Sequence, residues 1–573
     1  VYDAFYPGYG ASWPSYYVAI AMTYERGSAR GLLADRRKGP DFHYRDSVRQ
    51  HFLASIATAE TAAVNRDKLW RDFRAYQESA VTEGRREPIR AYILPAGHDD
   101  AAAFRLAGLL TQQGIEVLTA KSSFAACGKT FGAGSHVVPL AQPAKRLIRT
   151  LLDDQVDLEA DFLAEQERRR AKDLGDEIYD VTAWSLPMMM GVEVASCEGA
   201  TPGGGNFVTH GGRLTRAGAL TGPDSAVAYL VAWGERPATR LLARALRAGL
   251  SVSSSDRAFT IGERTLPAGT LIFQQADNRR DLRAVLARFA QETGANVIAV
   301  GDSWVSEGPN FGSENVVMMN APKIAIAWDE PASPTIAGAS RYVIERQFDY
   351  PATAVRVEDM NNRALEQFDV ILLPGGGDYA HALGKSGVER LKAWVERGGV
   401  LIATGAAARF AADPDTGLLS IRREDAAKPD GAAESDEEKK ATVPGTLLTD
   451  DAGAQKAIVP EKESPDATAG VLLNASVDAD HWMAAGVKPT VIALYSGSDI
   501  YTPAKLNEGV NVARFASAEA LVASGYLWAE TKAQLAHKPF VVVEPEGDGM
   551  VVAFTADPTT RAYLDGLNTL FAN

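Results

Sequence analysis

A block of text near residue 91 is written again about 135 positions later, and this duplication limits the folds open to the middle of the chain. Ala91-Tyr-Ile-Leu-Pro-Ala-Gly97 resembles Ala228-Tyr-Leu-Val-Ala-Trp-Gly234, which lies 137 positions on. Gly114-Ile-Glu-Val117 matches Gly249-Leu-Ser-Val252, Phe124 matches Phe259, and Ala133-Gly134 matches Ala268-Gly269, all 135 apart. Each copy reads strand, helix, strand, Gly-containing hairpin, strand, helix. The hairpins are Cys127-Gly-Lys-Thr-Phe-Gly-Ala-Gly134 and Gly262-Glu-Arg-Thr-Leu-Pro-Ala-Gly269. A repeat of this length is one supersecondary unit. Two related α/β units follow, over 89–220 (with a connecting segment) and 221–320. Between the hairpins lie Glu177-Ile-Tyr-Asp-Val-Thr-Ala-Trp-Ser-Leu-Pro187 and a Gly-rich loop, Gly203-Gly-Gly205. Copies of this kind usually build a scaffold, though the cleft between them could bind a ligand.

At 573 residues the chain is too long for one core and implies roughly three or four domains. A net charge of −14 builds no basic stripe, so nucleic acid is not an expected partner. No run reaches the roughly 18 apolar residues that a membrane helix requires, and the visible chain reads as soluble. It opens on Val1 with no charged-then-apolar leader, which leaves any signal peptide out of sight. The two cysteines, Cys127 and Cys197, set no disulfide framework and leave both their pairing and the compartment open.

From Pro322 the text changes. Lys323-Ile-Ala-Ile-Ala-Trp-Asp329 reads as a buried strand, a helical stretch runs over about 333–345, and Val370-Ile-Leu-Leu373 ends in Gly375-Gly-Gly377. Val388 to Gly398 is an amphipathic helix with a Gly cap, leading into Gly399-Val-Leu-Ile-Ala-Thr-Gly405. Near-continuous apolar strands alternating with helices imply a parallel sheet covered on both faces. Residues 413–469, rich in Asp, Glu, Lys, Ala and Pro (Ala432-Ala-Glu-Ser-Asp-Glu-Glu-Lys-Lys440), read as a solvated insertion. Strands at Pro489–Tyr495, Pro539–Val543 and Met550–Phe554 complete the domain, with a last helix from Thr559 or Thr560. This order resembles the class I glutamine-amidotransferase-like, flavodoxin-like fold. Relatives place a nucleophilic Cys on the turn after the strand that 399–405 matches. Gly405-Ala406-Ala407-Ala408 stands there, so no thioester chemistry is expected.

The first residues carry the chemistry. An aromatic, Gly-rich loop, Tyr6-Pro-Gly-Tyr9-Gly-Ala-Ser-Trp13, opens into an apolar strand-like run over 17–22 that delivers one carboxylate, Glu25. A lone acid at a strand end is the type of group that serves as a general base. A helical pattern from Asp46 to about Glu83 follows, with Val48, Phe52, Ile56, Ala59, Ala63 and Leu69 near a 3.6 period. Tyr6-Pro7, Trp13 and Thr23-Tyr24-Glu25 resemble the corresponding stretch of zinc carboxypeptidases of the carboxypeptidase A and B family. The resemblance implies that residues 1–84 close a catalytic α/β domain. It makes Glu25 the catalytic general base and Tyr6 the mobile tyrosine, with Tyr9 as rival for that position, and Trp13 lies beside the substrate. Ala11 and Ser12 stand where members that cut after basic residues carry an acid, so that preference is not implied. The family binds zinc through His-x-x-Glu and a later His, all upstream of the catalytic Glu. None of the eight His here is followed three residues on by Glu. The nearest match, His43-Tyr-Arg-Asp46, comes after Glu25, in the wrong order.

Several motifs are set aside on their own terms. Gly384-Lys-Ser386 and Gly128-Lys-Thr130 lack the leading Gly of a phosphate loop, with Tyr379 and Ser123 in that place. There is no Gly-x-Ser-x-Gly elbow. Met188-Met-Met190 and His481 read as packing residues. The expected protein is therefore the C-terminal portion of a large zinc metallocarboxypeptidase, periplasmic or secreted by resemblance. Its substrates would be peptide or protein C-termini, and the zinc half would be supplied upstream, by the same gene product or a retained cleaved chain. The alternative is a non-catalytic binding or scaffold protein built on degraded peptidase and amidotransferase folds.

Overall fold

Short runs of small apolar and β-branched residues produce strands here, and the longer 3.6-periodic runs produce the helices between them. The computed structural model describes residues 6–29, 31–36, 39–97, 99–156, 158–199, 206–210, 216–278, 281–361, 363–427 and 464–573. The expected Gly203–Gly205 loop and the acidic 432–440 run lie outside the described residues. Two units separate by their contacts: Val1–His98 with Ala103–Asp153 and Glu193–Leu214, and Asp99–Ala102 with Asp154–Val192 and Thr215–Asn573. Among the described residues no helix is long and apolar enough to cross a membrane.

In the first unit, α1 (Tyr44–Val64) and α2 (Arg66–Gly84) replace the single helix expected over 46–83, with the break at Asn65. Beyond them come β1 (Ile89–Leu94), α3 (Asp100–Gln112), β2 (Val117–Ala120), β3 (His136–Pro139), α4 (Lys145–Leu152), β4 (Ala195–Glu198) and β5 (Phe207–His210). The sheet order is β4-β1-β3-β2-β5, antiparallel at every step. Alternate residues of β1 divide between its faces. Ala91 and Ile93 join Phe131, Val137 and Cys197 in one cluster, and the hydroxyl of Tyr92, from the intervening register, bonds Asp153. A disulfide joins Cys127, at the tip of the 124–131 hairpin, to Cys197 of β4.

The second unit carries β6 (Ala228–Val231), α5 (Arg236–Arg247), β7 (Ser253–Ser255), β8 (Leu271–Gln274), α6 (Leu282–Thr293), β9 (Val297–Val300) and β10 (Val316–Met318). The order of these five, β9-β6-β8-β7-β10, repeats that of the first sheet with antiparallel pairing, and a sixth strand, Leu220–Thr221, is added parallel to β9. Tyr229, Val231 and Phe273 pack with Leu241, Leu286 and Phe289 of the helices on one face. Ala228, Leu230 and Ile272 pack with Phe259, Ile261 and Phe311 on the other. Here the hairpin is held by a third strand, Val305–Glu307, where the first copy uses its disulfide.

The rest of that unit contains β11 (Ile324–Ala327), α7 (Pro334–Tyr342), β12 (Ala352–Val355), β13 (Val370–Leu373), α8 (Tyr379–Glu396) and β14 (Val400–Thr404). Then come β15 (Thr468–Val477), β16 (Thr490–Gly497), β17 (Val510–Phe515), β18 (Pro539–Glu546) and β19 (Gly549–Phe554). The order β12-β11-β13-β14-β19 is parallel and is the 2-1-3-4-5 order of flavodoxin-like sheets. The sheet then continues β18-β17-β15-β16 with antiparallel pairing. A purely parallel completion of this domain is therefore corrected. Of the three closing strands expected from sequence, only β19 lies in the parallel run. The expected insertion is also narrowed: Leu418, Leu419 and Ile421 are buried in the same core as Leu401 and Trp394. Only a one-turn 3-10 helix, Thr560–Ala562, starts where the last helix was expected. Arg561 and Ala562 have positive φ in a short turn, and the last helix is Asn568–Ala572.

Candidate functional site

The loop at the head of the first unit brings two of the expected residues together. The Tyr6 and Tyr9 rings meet edge to face at 5.3 Å between centroids. Trp13 opens a 3-10 turn, Trp13–Tyr17, and packs against Tyr16 and Tyr17 at 6.1 and 6.4 Å. The Tyr17 hydroxyl donates to Gln113 Oε1 at 2.7 Å, which anchors the end of this turn. Val18 then takes a left-handed conformation and the chain leaves the turn.

The strand expected over 17–22 is not formed, which is a correction. Tyr17 closes the 3-10 turn, and residues 19–29 belong to no helix or strand. An isolated strand gains nothing without a neighbour to pair with and a face to bury. Ile20 is 67% exposed and Met22 half exposed, so this run has neither. Glu25 is exposed on the irregular segment rather than at a strand end. The preceding residue fixes that segment, since the Tyr24 and Thr58 hydroxyls lie 2.7 Å apart. His43-Tyr-Arg-Asp46 serves a local purpose: the His43 backbone N–H donates to Asp46 Oδ2 at 3.1 Å and closes the start of α1.

Helix α1 buries none of its residues. Val48, Phe52 and Ile56, one turn apart along one stripe, are each at least half exposed, and Leu53 lies beside them. A helix with an apolar stripe at this spacing ordinarily lays it against a core. Among the described residues no group of three His, Cys, Asp or Glu lies close enough together to hold a metal ion. These residues therefore do not fit a zinc site.

The second candidate is the flavodoxin-like part of the other unit. Ligands in such sheets bind beyond the strand ends where the order reverses, here between β11 and β13. Chain crosses that position. Gly377 N–H donates to the Pro331 carbonyl at 2.7 Å and Ser333 N–H to the Gly375 carbonyl at 3.0 Å. A Cβ on Gly376 would stand 2.2 Å from the Pro331 oxygen, so only glycine permits this crossing. At the end of β14 the sharp turn of an elbow is kept, with Gly405 at φ 53°, but the next side chain is the methyl of Ala406. Behind it Asp557 is buried, and burial pushes its carboxyl above the usual range. Its oxygens accept from the Thr559 N–H at 2.9 Å, the Thr559 hydroxyl at 2.8 Å and the Thr560 hydroxyl at 3.2 Å. This acid organises its own loop.

The remaining motifs resolve into structure. Met189 and Met190 are core. Gly128-Lys-Thr130 sits in the disulfide-tied hairpin, and Gly384 kinks α8. His481 accepts from the Met483 N–H at 3.2 Å at the head of a short turn, and burial lowers its pKa.

No known protein family and no curated protein matches this chain. Solved structures overlap part of it. A β-galactosidase from Bacillus circulans shares 11% identity and a TM-score of 0.22, over 43% of this chain and 30% of that one. A ThuA-like protein from Bacteroides uniformis shares 11% identity and a TM-score of 0.27, over 43% of this chain and 89% of that one. A glutamine amidotransferase from Thermotoga maritima shares 9% identity and a TM-score of 0.24, over 40% of this chain and 73% of that one. This chain thus spans under a third of the β-galactosidase. At these scores the likeness assigns neither family nor activity.

Proposed function

We propose that the chain is the C-terminal portion of a zinc metallocarboxypeptidase, and that residues 6–84 complete a catalytic domain whose metal-binding half is encoded upstream. The observation that carries this reading is the bare apolar stripe of Val48, Phe52 and Ile56 on a helix that buries nothing. Together with Ile20 and Met22 it is the surface expected where a domain core continues into further chain. The resemblance at Tyr6-Pro7, Trp13 and Thr23-Tyr24-Glu25 supplies the chemistry. Glu25 takes a proton from the attacking water and passes it to the amine of the departing C-terminal residue. Tyr6 closes over the substrate and donates a hydrogen bond, with Tyr9 against it and Trp13 beside the bound side chain. Zinc would supply the activation of that water in this family, and no group among the described residues would hold it.

In this reading residues 89–573 are a non-catalytic scaffold. The filled position between β11 and β13 and the methyl of Ala406 at the elbow support that role. The Cys127–Cys197 disulfide supports an oxidising compartment, periplasmic or extracellular.

The reading is tested by producing the protein with the sequence encoded immediately upstream of Val1, beside the present chain alone. The longer protein should bind zinc and release C-terminal residues from peptides, and the shorter should do neither. A longer protein that folds, binds no zinc and releases nothing would leave the scaffold reading in its place.

A further inference from the structure

The short hairpin ahead of α1 turns one face outward. Leu33–Ala34 pairs antiparallel with Phe42–His43, with Ala34 opposite Phe42 and Leu33 opposite His43. The Tyr44 N–H donates to the Leu32 carbonyl at 3.0 Å and extends the ladder by one pair. Side chains alternate across such a ladder, so Leu32 and Tyr44 stand on the same face as Ala34 and Phe42. Phe42 is buried, yet Leu32 is 81% and Tyr44 57% exposed.

Two guanidinium groups share the Phe42 ring. That of Arg36 lies 4.3 Å from the ring centroid and that of Arg26 5.2 Å, so the ring holds them side by side. Both residues are exposed, and among the described residues neither forms an ion pair with a carboxylate. An aromatic ring supports a guanidinium through its flat face and leaves the N–H groups at its edge free to donate. In sequence, residues 26–38 carry five basic residues against one acid, Asp35, in a chain of net charge −14. The patch is therefore positive on a chain that is otherwise strongly negative.

We propose that this face docks on an anionic phospholipid surface, with Arg26 and Arg36 on headgroup phosphates and Leu32 entering the boundary with the acyl chains. Guanidinium forks match phosphate oxygens two at a time. An exposed leucine beside them gains nothing from an acidic peptide in water but is buried at a lipid interface, where Tyr44 can keep its hydroxyl among the headgroups. Attraction of this patch and repulsion of the acidic remainder orient the contact. The inference does not rest on the role given to Glu25.

The test is co-sedimentation of the whole chain with vesicles of phosphatidylglycerol and phosphatidylcholine, beside vesicles of phosphatidylcholine alone. Binding is expected to the anionic vesicles only and should weaken as salt is added. The double change Arg26→Gln with Arg36→Gln, and Leu32→Ser by itself, should each weaken it by about tenfold or more. Leu32→Ser touches a side chain that packs on little, so its thermal unfolding should match the parent and its loss of binding cannot come from misfolding. Arg66→Gln, on the exposed surface of α2 beside Asp67, should bind like the parent. No binding to anionic vesicles, equal binding to both kinds, or full binding by Leu32→Ser would overturn the proposal. Binding to polyglutamate without binding to anionic vesicles would assign the patch to an acidic peptide instead. The same assay on the protein extended upstream of Val1 should give the same binding, and its loss there would make this face part of a covered core and overturn the proposal.

Discussion

The hydroxyls of Tyr24 and Thr58 lie 2.7 Å apart and fasten the residue before Glu25 to the middle of α1. The segment that carries the proposed base is therefore positioned by a helix rather than by a sheet. Thr58→Val keeps the shape and removes the bond, at a cost of about 1 kcal/mol. In the zinc-bearing longer protein kcat/KM should fall by about fivefold, with zinc content unchanged. Unaltered kinetics would separate α1 from the catalytic segment.

The apolar stripe of α1 gives a second expectation. Phe52→Glu should leave the unfolding of the present chain unchanged, because Phe52 is 63% exposed. In the longer protein the same change would bury a charge and should cost about 3 kcal/mol or more. Urea unfolding of both forms measures the contrast, and equal effects in the two would mean that nothing covers the stripe.

The disulfide should matter to the first copy of the repeat alone. It closes a loop of 70 residues, for which chain entropy gives about 4 kcal/mol. Cys197→Ser should make the 124–131 hairpin susceptible to proteolysis while the 259–266 hairpin, held by Val305–Glu307, stays protected. Mass mapping of limited digests distinguishes the two.

Asp557 should give the C-terminal fold a pH dependence of known sign. Burial places its folded pKa above the ordinary carboxylate value of about 4. Between those two values the folded state binds more protons than the unfolded, so this group removes stability as pH rises through the window and restores it as pH falls. Asp557→Asn keeps an acceptor for Thr559 and cannot ionise. The stability of the variant relative to the parent should therefore increase with pH across that window, as read by denaturant titrations. A flat difference would mean that the carboxyl titrates alike in both states.

The repeat was legible because its signals are local. Gly134 and Gly269 close matching hairpins, and apolar pairs such as Ile93 with Leu230 fall at the same strand register. The parallel strands were legible because continuous apolar text such as Val370–Leu373 is read the same way wherever it is buried. That property also hid the antiparallel return. Thr490–Gly497 and Pro539–Glu546 carry similar text, and their direction depends on partners far along the chain. Leu418, Leu419 and Ile421 were masked by the acidic run that follows them. The strand over 17–22 was expected from β-propensity, which expresses itself only beside a neighbouring strand.

The measurement that bears most directly on the account is the activity of Glu25→Gln in the protein extended upstream of Val1. Release of C-terminal residues should fall by about 10²- to 10⁴-fold, the share ordinarily carried by a general base, while bound zinc is unchanged. Retention of full activity in Glu25→Gln would contradict the role assigned to Glu25 and the carboxypeptidase reading of residues 6–84 with it.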